Sequence, residues 1–167
     1  MSSRLIRISV FAVLLIPCAA KLMAQMPNAY GANITLEAAK KPVAAALAEA
    51  AKNKWTMAVA VVDTGGTLVY FEKMDNTQTA SAEVAIDKAR SAVIYKRPTK
   101  AMEDALAAGG NGLRMLRLRD AVPVEGGIPL IVDGKIIGAI GVSGDKSSND
   151  GICAVAGAAV INGTAAK

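Results

Sequence analysis

The side chains best placed to bind a ligand lie where one predicted helix ends and the next begins. Arg97 and Lys100 supply positive charge there beside Thr99, a predicted N-cap residue. If the helix N-terminus is open, its amides and these cations form an anion site. Tyr95 and Met102 flank this joint with a hydroxyl and a thioether that could face a ligand. Met102 also has the helical spacing of a residue that fills the core, so both roles stay open for it.

A glycine-rich segment further along the chain contains an acid with no evident structural role. Glu125 directly precedes Gly126 and Gly127. A positioned carboxylate can act as a general acid or base, so Glu125 is the predicted catalytic residue if the protein is an enzyme. Gly126 and Gly127 are predicted ligand contacts because a bare backbone lets a ligand approach closely.

Two further groups of cations are candidates for binding an anion. Arg114, Arg117 and Arg119 alternate with apolar residues, and guanidinium groups pair well with carboxylates. The alternative for these three is a solvated edge strand whose charges prevent aggregation. A wider basic set surrounds the helix joint and adds Lys88, Arg90 and Lys96.

The chain has no histidine among its 167 residues, which excludes several familiar sites. A serine–histidine–aspartate triad is impossible, and so is a zinc site built from histidines or several cysteines. Ser143 has no imidazole to activate it and lies in no nucleophile elbow. The glycines after Glu125 lack the lysine and hydroxyl residue that end a phosphate-binding loop. We therefore predict no metal site.

A hairpin of unusual clarity must position the glycine segment. Two apolar runs, 129–132 and 135–142, flank Asp133–Gly134, which supplies the two positive-φ positions of a type I′ turn. Three glycines interrupt or follow the second run, at Gly138, Gly141 and Gly144. A strand backbone without side chains indicates that something packs closely on it, either an alanine-rich helix or a flat ligand.

The remaining periodicities predict a series of helices and hairpins. In chain order these are a helix from Thr35 to about Lys52, a hairpin around Asp63–Gly66, helices beginning near Ser81 and Thr99, a short strand at Val122–Val124, the hairpin around Asp133–Gly134, and a helix from Ser147 or Asp150 to Gly163. Pro42 is expected to kink the first helix. Because hairpins connect most strands, the predicted class is α+β, with a mainly antiparallel sheet flanked by helices.

Residues 1–24 have the pattern of a secretory signal peptide. Arg4 and Arg7 precede an apolar stretch, Ile8–Ile16, and small residues follow up to a predicted cleavage site near Ala24. That stretch is shorter than the roughly 20 residues of a membrane span. We therefore expect a periplasmic or secreted protein with no membrane span in its mature form.

The mature chain is expected to consist of a disordered lead-in, residues 25–33, and a single domain, residues 34–167. Cleavage would leave 16 basic and 14 acidic residues, so the formal charge falls from +5 to +2. This balance gives no support to nucleic-acid binding. Cys153 would be the one remaining cysteine, so no internal disulfide is expected.

Several segments in combination resemble the GlcG/HbpS family of small haem-binding or haem-degrading-type domains, which also occurs at the C-terminus of some PduO proteins. The resemblance covers roughly Thr35–Ala159. It is carried by T-L-E-A-A at 35–39, V-A-V-V-D-T-G-G at 59–66, A-I-D-K-A-R at 85–90, R-P-T-K at 97–100, G-G-I-P-L at 126–130 and G-A-I-G-V-S-G at 138–144.

The resemblance implies a profilin-like fold with a five-stranded, mainly antiparallel sheet, assembled as a homo-oligomer. It also implies a module that binds haem or a related planar anionic ligand, in haem, iron or redox sensing. Because the chain lacks histidine, an axial ligand would have to come from methionine, tyrosine, cysteine or an oxygen donor. The predicted ligand contacts are Tyr95, Arg97, Thr99, Lys100, Met102, Gly126 and Gly127. The alternative is an accessory enzyme acting on a small carboxylate, of the glycolate or diol metabolism type.

Overall fold

The computed structural model describes residues 28–163. The predicted signal peptide and its cleavage site lie outside these residues. The helices and strands are, in chain order, β1 (Ala29–Tyr30), α1 (Leu36–Lys52), β2 (Ala58–Val62), β3 (Leu68–Lys73), α2 (Ser81–Ile94), α3 (Thr99–Ala107), a 3₁₀ helix (Gly110–Arg117), β4 (Gly127–Val132), β5 (Lys135–Ser143) and α4 (Ser147–Asn162). Within the described part, no helix is both long and apolar enough to cross a membrane.

The strands form a five-stranded, mainly antiparallel sheet, which confirms the predicted α+β class. Strand β5 pairs antiparallel with β2 and β4, and β2 pairs antiparallel with β3. Strand β1 adds a short parallel pairing to the start of β5. The predicted disordered lead-in is therefore wrong for residues 28–33. The Tyr30 hydroxyl also donates a hydrogen bond of 2.9 Å to the carbonyl oxygen of Val93, which ties β1 to α2.

Helices cover both faces of the sheet. Helices α1 and α4 pack on the face that carries Val59, Val61 and Ile140. Helix α2 packs on the opposite face, which carries Ala58 and Ala60. Because successive side chains of a strand point to opposite faces, β2 contributes to both cores and is buried along its whole length.

Local sequence signals correctly predict the hairpin turn and the first helix. Asp133 and Gly134 have φ values of 48° and 70°, as a type I′ turn requires. Thr35 caps α1 by accepting a hydrogen bond of 3.3 Å from the N–H of Ala38. Helix α1 is nevertheless unbroken at Pro42, where a kink is expected from sequence.

The strand glycines make room for helix α2. A Cβ atom on Gly141 would lie 2.0 Å from the carbonyl oxygen of Ala85. On its cross-strand partner Gly127, a Cβ would lie 2.3 Å from the carbonyl oxygen of Lys88. Real Cβ atoms do not approach so closely, so the paired glycines form a groove for the α2 backbone. Of the two interpretations of these strand glycines, the alanine-rich helix is therefore correct at Gly141.

Several local predictions are wrong where tertiary contacts decide the structure. The segment Leu113–Arg119 lies largely in the 3₁₀ helix and forms no edge strand, and Val122–Val124 forms no strand. Helices α2 and α4 do begin at Ser81 and Ser147, as predicted. The side chains of Ser81 and of Asp150, the alternative start of α4, are nevertheless buried. Ser81 contacts Ser143 of β5, and Asp150 contacts a lysine of α2, so neither side chain caps its own helix.

Helix α4 turns three of its four larger apolar side chains toward solvent, while Ile161 is buried. Ile152 and Val155 are 48% and 59% exposed. The buried face carries small residues instead, including Cys153 and Gly157. A Cβ on Gly157 would lie 2.6 Å from the carbonyl oxygen of Pro42, so the glycine allows α4 to approach α1 closely.

Candidate functional site

A pocket of about 200 Å³ lies where the start of β4 meets the N-terminal turns of α3 and α4. Its wall consists of Pro98, Lys100, Glu125, Gly126, Gly127, Ile128, Gly151 and Val155. Four residues singled out from the sequence meet here, namely Lys100, Glu125, Gly126 and Gly127. Most of the wall is apolar side chain or bare backbone, and its two charged side chains provide polar contacts for a ligand.

Glu125 is the half-buried acid of this pocket. Its side chain lies over α4, and a Cβ on Gly151 would come 2.2 Å from its Oε1. Its backbone N–H donates to the carboxylate of Glu103. Burial raises the pKa of the Glu125 carboxyl; Lys100 opposes this shift, whereas Glu103 and Asp104 add to it. A carboxyl with a raised pKa can exchange a proton closer to neutral pH than an ordinary glutamate can.

Lys100 is the positive charge in the pocket wall, and it already has an acidic partner. Its Nζ donates to the carboxylate of Asp104, one turn further along α3. This hydrogen bond raises the pKa of Lys100. Around the pocket, Lys100 therefore faces three carboxylates, those of Glu103, Asp104 and Glu125. An anionic ligand is expected to compete with Asp104 for Lys100 and to bind best when Glu125 is protonated.

Thr99 holds the floor of the pocket in place. Its side chain is fully buried, and its Oγ1 accepts a hydrogen bond of 2.9 Å from the N–H of Gly127. Pro98 occupies the N-cap position of α3, so the prediction that Thr99 caps this helix is wrong. Gly126 has a φ of 131°, and a Cβ there would lie 2.6 Å from the carbonyl oxygen of Val142. The bend into β4 therefore requires a glycine.

A buried ion pair lies directly beneath Gly126. Lys88 Nζ is 2.7 Å from Asp150 Oδ2, and the two side chains are 1% and 3% exposed. Lys88 Nζ also donates to the carbonyl oxygen of Val142, and Asp150 Oδ1 accepts from the N–H of Asp145. Burial raises the pKa of Asp150 although Lys88 lowers it. A Cβ on Gly126 would come 3.0 Å from Lys88 Nζ. The pair thus joins α2 to α4 under the pocket.

Besides the buried Thr99, three other predicted ligand residues lie outside the pocket wall. The Tyr95 hydroxyl donates to the carbonyl oxygen of Arg119. Arg97 is exposed, and its Nε donates to the carbonyl oxygen of Tyr95 at 3.1 Å. Met102 is 1% exposed, with its sulfur 3.5 Å from Ser91 Oγ. Arg97 directly precedes Pro98, the first wall residue in the chain. Tyr95 and Met102 instead form hydrogen bonds with Arg119 and Ser91.

The buried ion pair is the main structural feature beneath the pocket that the sequence does not predict. From sequence alone, Lys88 is predicted to belong to the basic set around the helix joint. Yet Lys88 lies three residues after Ala85 and four before Ala92, which is the helical spacing of a buried face. Asp150 likewise lies three residues before the buried Cys153. This spacing is the signal that could identify both charges as buried.

Donors for a metal ion are scarce around the pocket. Residues 28–163 contain no cluster of three or more cysteine, histidine or carboxylate side chains that could hold an ion. Cys153 is buried, and burial raises the pKa of its thiol to about 11, so it is a neutral thiol at physiological pH. Within the wall, Glu125 is the side chain that offers oxygen to iron.

Comparison with known proteins matches residues 34–159 to the family described as haem degrading protein HbpS-like. That range contains the entire pocket wall. Over 101 residues the chain is 40% identical to the protein GlcG of Escherichia coli strain K12, an alignment that covers 60% of this chain and 74% of GlcG.

Solved structures share the fold. The crystal structure of HbpS matches with a TM-score of 0.72 and 32% sequence identity, covering 78% of this chain and 92% of HbpS. The crystal structure of a PduOC–haem complex matches with a TM-score of 0.70 and 28% identity, covering 78% of this chain and 96% of PduOC.

Proposed function

Because this chain belongs to the HbpS-like family of haem-degrading proteins, we propose that it binds haem or a related planar anionic ligand. The observation that carries the proposal is the pocket wall, where the apolar Pro98, Ile128 and Val155 lie beside Lys100. Haem combines matching properties, an apolar macrocycle and two carboxylates. A related protein, PduOC, has been crystallised as a haem complex.

The residues present fit one edge of a haem. The pocket of about 200 Å³ is smaller than the roughly 300–1,000 Å³ that encloses a ligand of drug size. We infer that the rest of the macrocycle lies over the exposed apolar face of α4. Ile152 and Val155 stand one turn apart on that face, next to the pocket.

We assign the propionates to Lys100 and Arg97, the cations in and beside the wall. When bound, haem would supply the redox and oxygen chemistry of its iron. Among the side chains of the wall, Glu125 alone carries oxygen that could be offered to this iron. Binding is therefore expected to depend on the macrocycle and the propionates more than on a strong axial ligand.

A titration with hemin tests this assignment. We expect a Soret shift at micromolar ligand, and iron-free protoporphyrin should bind within a few-fold of hemin because strong axial ligands are lacking. Replacing Lys100 by glutamine should weaken hemin binding by about threefold to tenfold, since one charge-assisted contact is lost at an exposed position. Lys73→Gln is the matched control because Lys73 is exposed on β3, at the opposite edge of the sheet.

The same titration can reject the proposal. Absence of a Soret shift at micromolar hemin would remove haem as the ligand. Much weaker binding of the iron-free porphyrin would contradict our ligand assignment, since it would require a strong protein donor to iron. Equal losses in Lys100→Gln and Lys73→Gln would remove the proposed role of the pocket.

We also propose that the protein acts outside the cytoplasm, as a homo-oligomer in haem, iron or redox sensing. The signal-peptide pattern of residues 1–24 supports export. The family resemblance supports self-association, because it implies a homo-oligomer. N-terminal sequencing of the exported protein and light scattering of the purified protein test these two points. An unprocessed cytosolic protein, or a strict monomer, would contradict them.

The size of the pocket also favours a second candidate, an accessory enzyme acting on a small carboxylate. Such a substrate would fit within about 200 Å³. Lys100 would bind its carboxylate, and Glu125, with its raised pKa, would take a proton from the substrate.

Turnover in a screen of small organic acids tests this candidate. A general base acts when deprotonated, so activity should rise with pH through the pKa of Glu125, at a higher pH than for an ordinary glutamate. Glu125→Gln should lower kcat by roughly 100-fold or more. Glu72→Gln on β3 is the control and should retain the activity. Undiminished turnover in Glu125→Gln would eliminate the proposed base.

A further inference from the structure

The 3₁₀ helix exposes much apolar surface. Leu113 and Leu116 are 54% and 65% exposed, and Leu118, just after the helix, is 39% exposed. A 3₁₀ helix has three residues per turn, so residues three apart form a row along it. Leu113 and Leu116 form one exposed row, whereas Met115 belongs to a half-buried row.

The third row of this helix is basic. It consists of Arg114 and Arg117, and Arg119 follows two residues later; all three are exposed. Within residues 28–163, none of the three lies within ion-pair distance of a carboxylate. The hydrogen bond from Tyr95 to the Arg119 carbonyl brings the end of this segment beside the helix joint, where Arg97 adds positive charge.

The backbone of the 3₁₀ helix lies closely against α3. A Cβ on Gly112 would lie 1.6 Å from the carbonyl oxygen of Ala105, so only a glycine permits this approach. Gly109 and Gly110 have φ values of 69° and 52° and turn the chain out of α3. The leucine and arginine rows therefore project from a backbone that the rest of the fold positions.

We propose that this leucine–arginine surface, formed by Leu113, Arg114, Leu116, Arg117, Leu118 and Arg119, binds an anionic phospholipid membrane. Apolar residues beside a row of cations match the boundary between headgroups and acyl chains, where the leucines bury apolar area and the arginines bind phosphates. This inference does not depend on the ligand proposed for the pocket.

The charge of this surface argues against a second copy of the chain as its occupant. A symmetric contact would place arginines against arginines, with Asp120 as the nearest acid in the sequence. The segment is also short: a stable protein interface buries at least about 1,200 Å² in total, much more than eight residues supply. A lipid surface has no such minimum and supplies the missing negative charge.

Vesicle co-sedimentation of the full chain tests the proposal. We expect binding to vesicles of phosphatidylglycerol and phosphatidylcholine, weaker binding to phosphatidylcholine alone, and loss at high salt. Arg114→Gln with Arg117→Gln should lower the partition coefficient about thirtyfold, because each arginine near an anionic surface contributes about fivefold. Leu113→Ser with Leu116→Ser should also reduce binding, whereas Arg114→Lys with Arg117→Lys should preserve it. Lys41→Gln with Lys73→Gln is the charge-matched control at exposed positions.

A probe within the segment separates its contribution from any binding by residues 1–24. Leu113→Trp, combined with Trp55→Phe to remove the native tryptophan, should shift its emission to the blue on anionic vesicles and be quenched by brominated acyl chains. An unchanged emission would overturn the proposal. Equal losses in the arginine variant and the lysine control would do so as well. If this surface instead holds a second copy of the chain, light scattering should show a lower mass for Leu113→Ser with Leu116→Ser. Vesicle binding of that variant should then be unchanged, which would also overturn the proposal.

Discussion

Replacing Lys88 by methionine is expected to lower the free energy of unfolding by about 3–5 kcal/mol. Methionine preserves much of the side-chain volume but leaves the Asp150 carboxylate buried without its cation. The carbonyl oxygen of Val142 also loses a donor. Chemical denaturation at neutral pH measures the loss. Because the pair lies under Gly126, ligand binding in the pocket should weaken together with stability.

The pH dependence of this loss identifies its cause. In Lys88→Met, Asp150 no longer has the cation that lowers its pKa, so burial raises that pKa further. A raised carboxyl pKa means that the folded state takes up the proton at a higher pH than the unfolded state. The loss of stability in Lys88→Met should therefore be complete above the pKa that Asp150 has in the folded variant. It should shrink as pH falls from there toward the ordinary aspartate range. A deficit that is constant from pH 8 to pH 4 would indicate lost packing instead.

Two further variants test the interpretation of Lys88→Met. Adding Asp150→Asn removes the buried charge and keeps an oxygen for the N–H of Asp145, so it should recover most of the stability. Lys40→Met breaks an exposed ion pair with Glu37 and should leave stability nearly unchanged. Failure of the double variant to recover would refute the unpaired charge as the cause.

Elements with strong local signals could be predicted from the sequence. The turn at Asp133–Gly134 needs two positive φ values, and few residue types besides asparagine, aspartate and glycine adopt them readily. Thr35 likewise caps its helix through a hydrogen bond within its own turn. In both cases the residues that determine the structure are neighbours in the chain, so one segment contains all the necessary information.

Features that depend on distant partners could not be predicted in this way. Thr99 has the sequence character of a cap, but its hydroxyl bonds to Gly127 of β4, 28 residues away. The apolar stripe of α4 predicts a helix correctly, yet Ile152 and Val155 face solvent because α1 requires small residues on the buried face. Periodicity shows that a helix has two faces; which face is buried depends on the partner.

The candidate site was only half predictable for the same reason. Glu125, Gly126 and Gly127 form one segment, and Lys100 follows the helix joint that the sequence marks clearly. The opposite wall comes from Gly151 and Val155 of α4, for which no local pattern indicates a ligand. Their contribution depends on how α4 crosses the start of β4.

Replacing Gly141 by alanine is expected to destabilise the protein by about 3 kcal/mol or more, and to lower Tm by about 10 °C. The added methyl group would lie 2.0 Å from the carbonyl oxygen of Ala85 and 2.5 Å from the backbone nitrogen of Ala89. Both contacts are with the backbone of α2, which cannot rotate away as a side chain can. The helix would have to move off the sheet, which would disturb Lys88 and the pocket above it.

Gly134→Ala is the matched control for this prediction. Gly134 lies in the same hairpin, and a Cβ there meets no atom within 4 Å. Its φ of 70° makes alanine strained, so a cost of about 1 kcal/mol is expected from backbone conformation alone. Thermal unfolding of both variants separates steric overlap from backbone strain. Without a groove for α2 at Gly127 and Gly141, alanine at position 141 would cost no more than the backbone strain at position 134. A loss in Gly141→Ala equal to or smaller than the loss in Gly134→Ala would therefore contradict the groove.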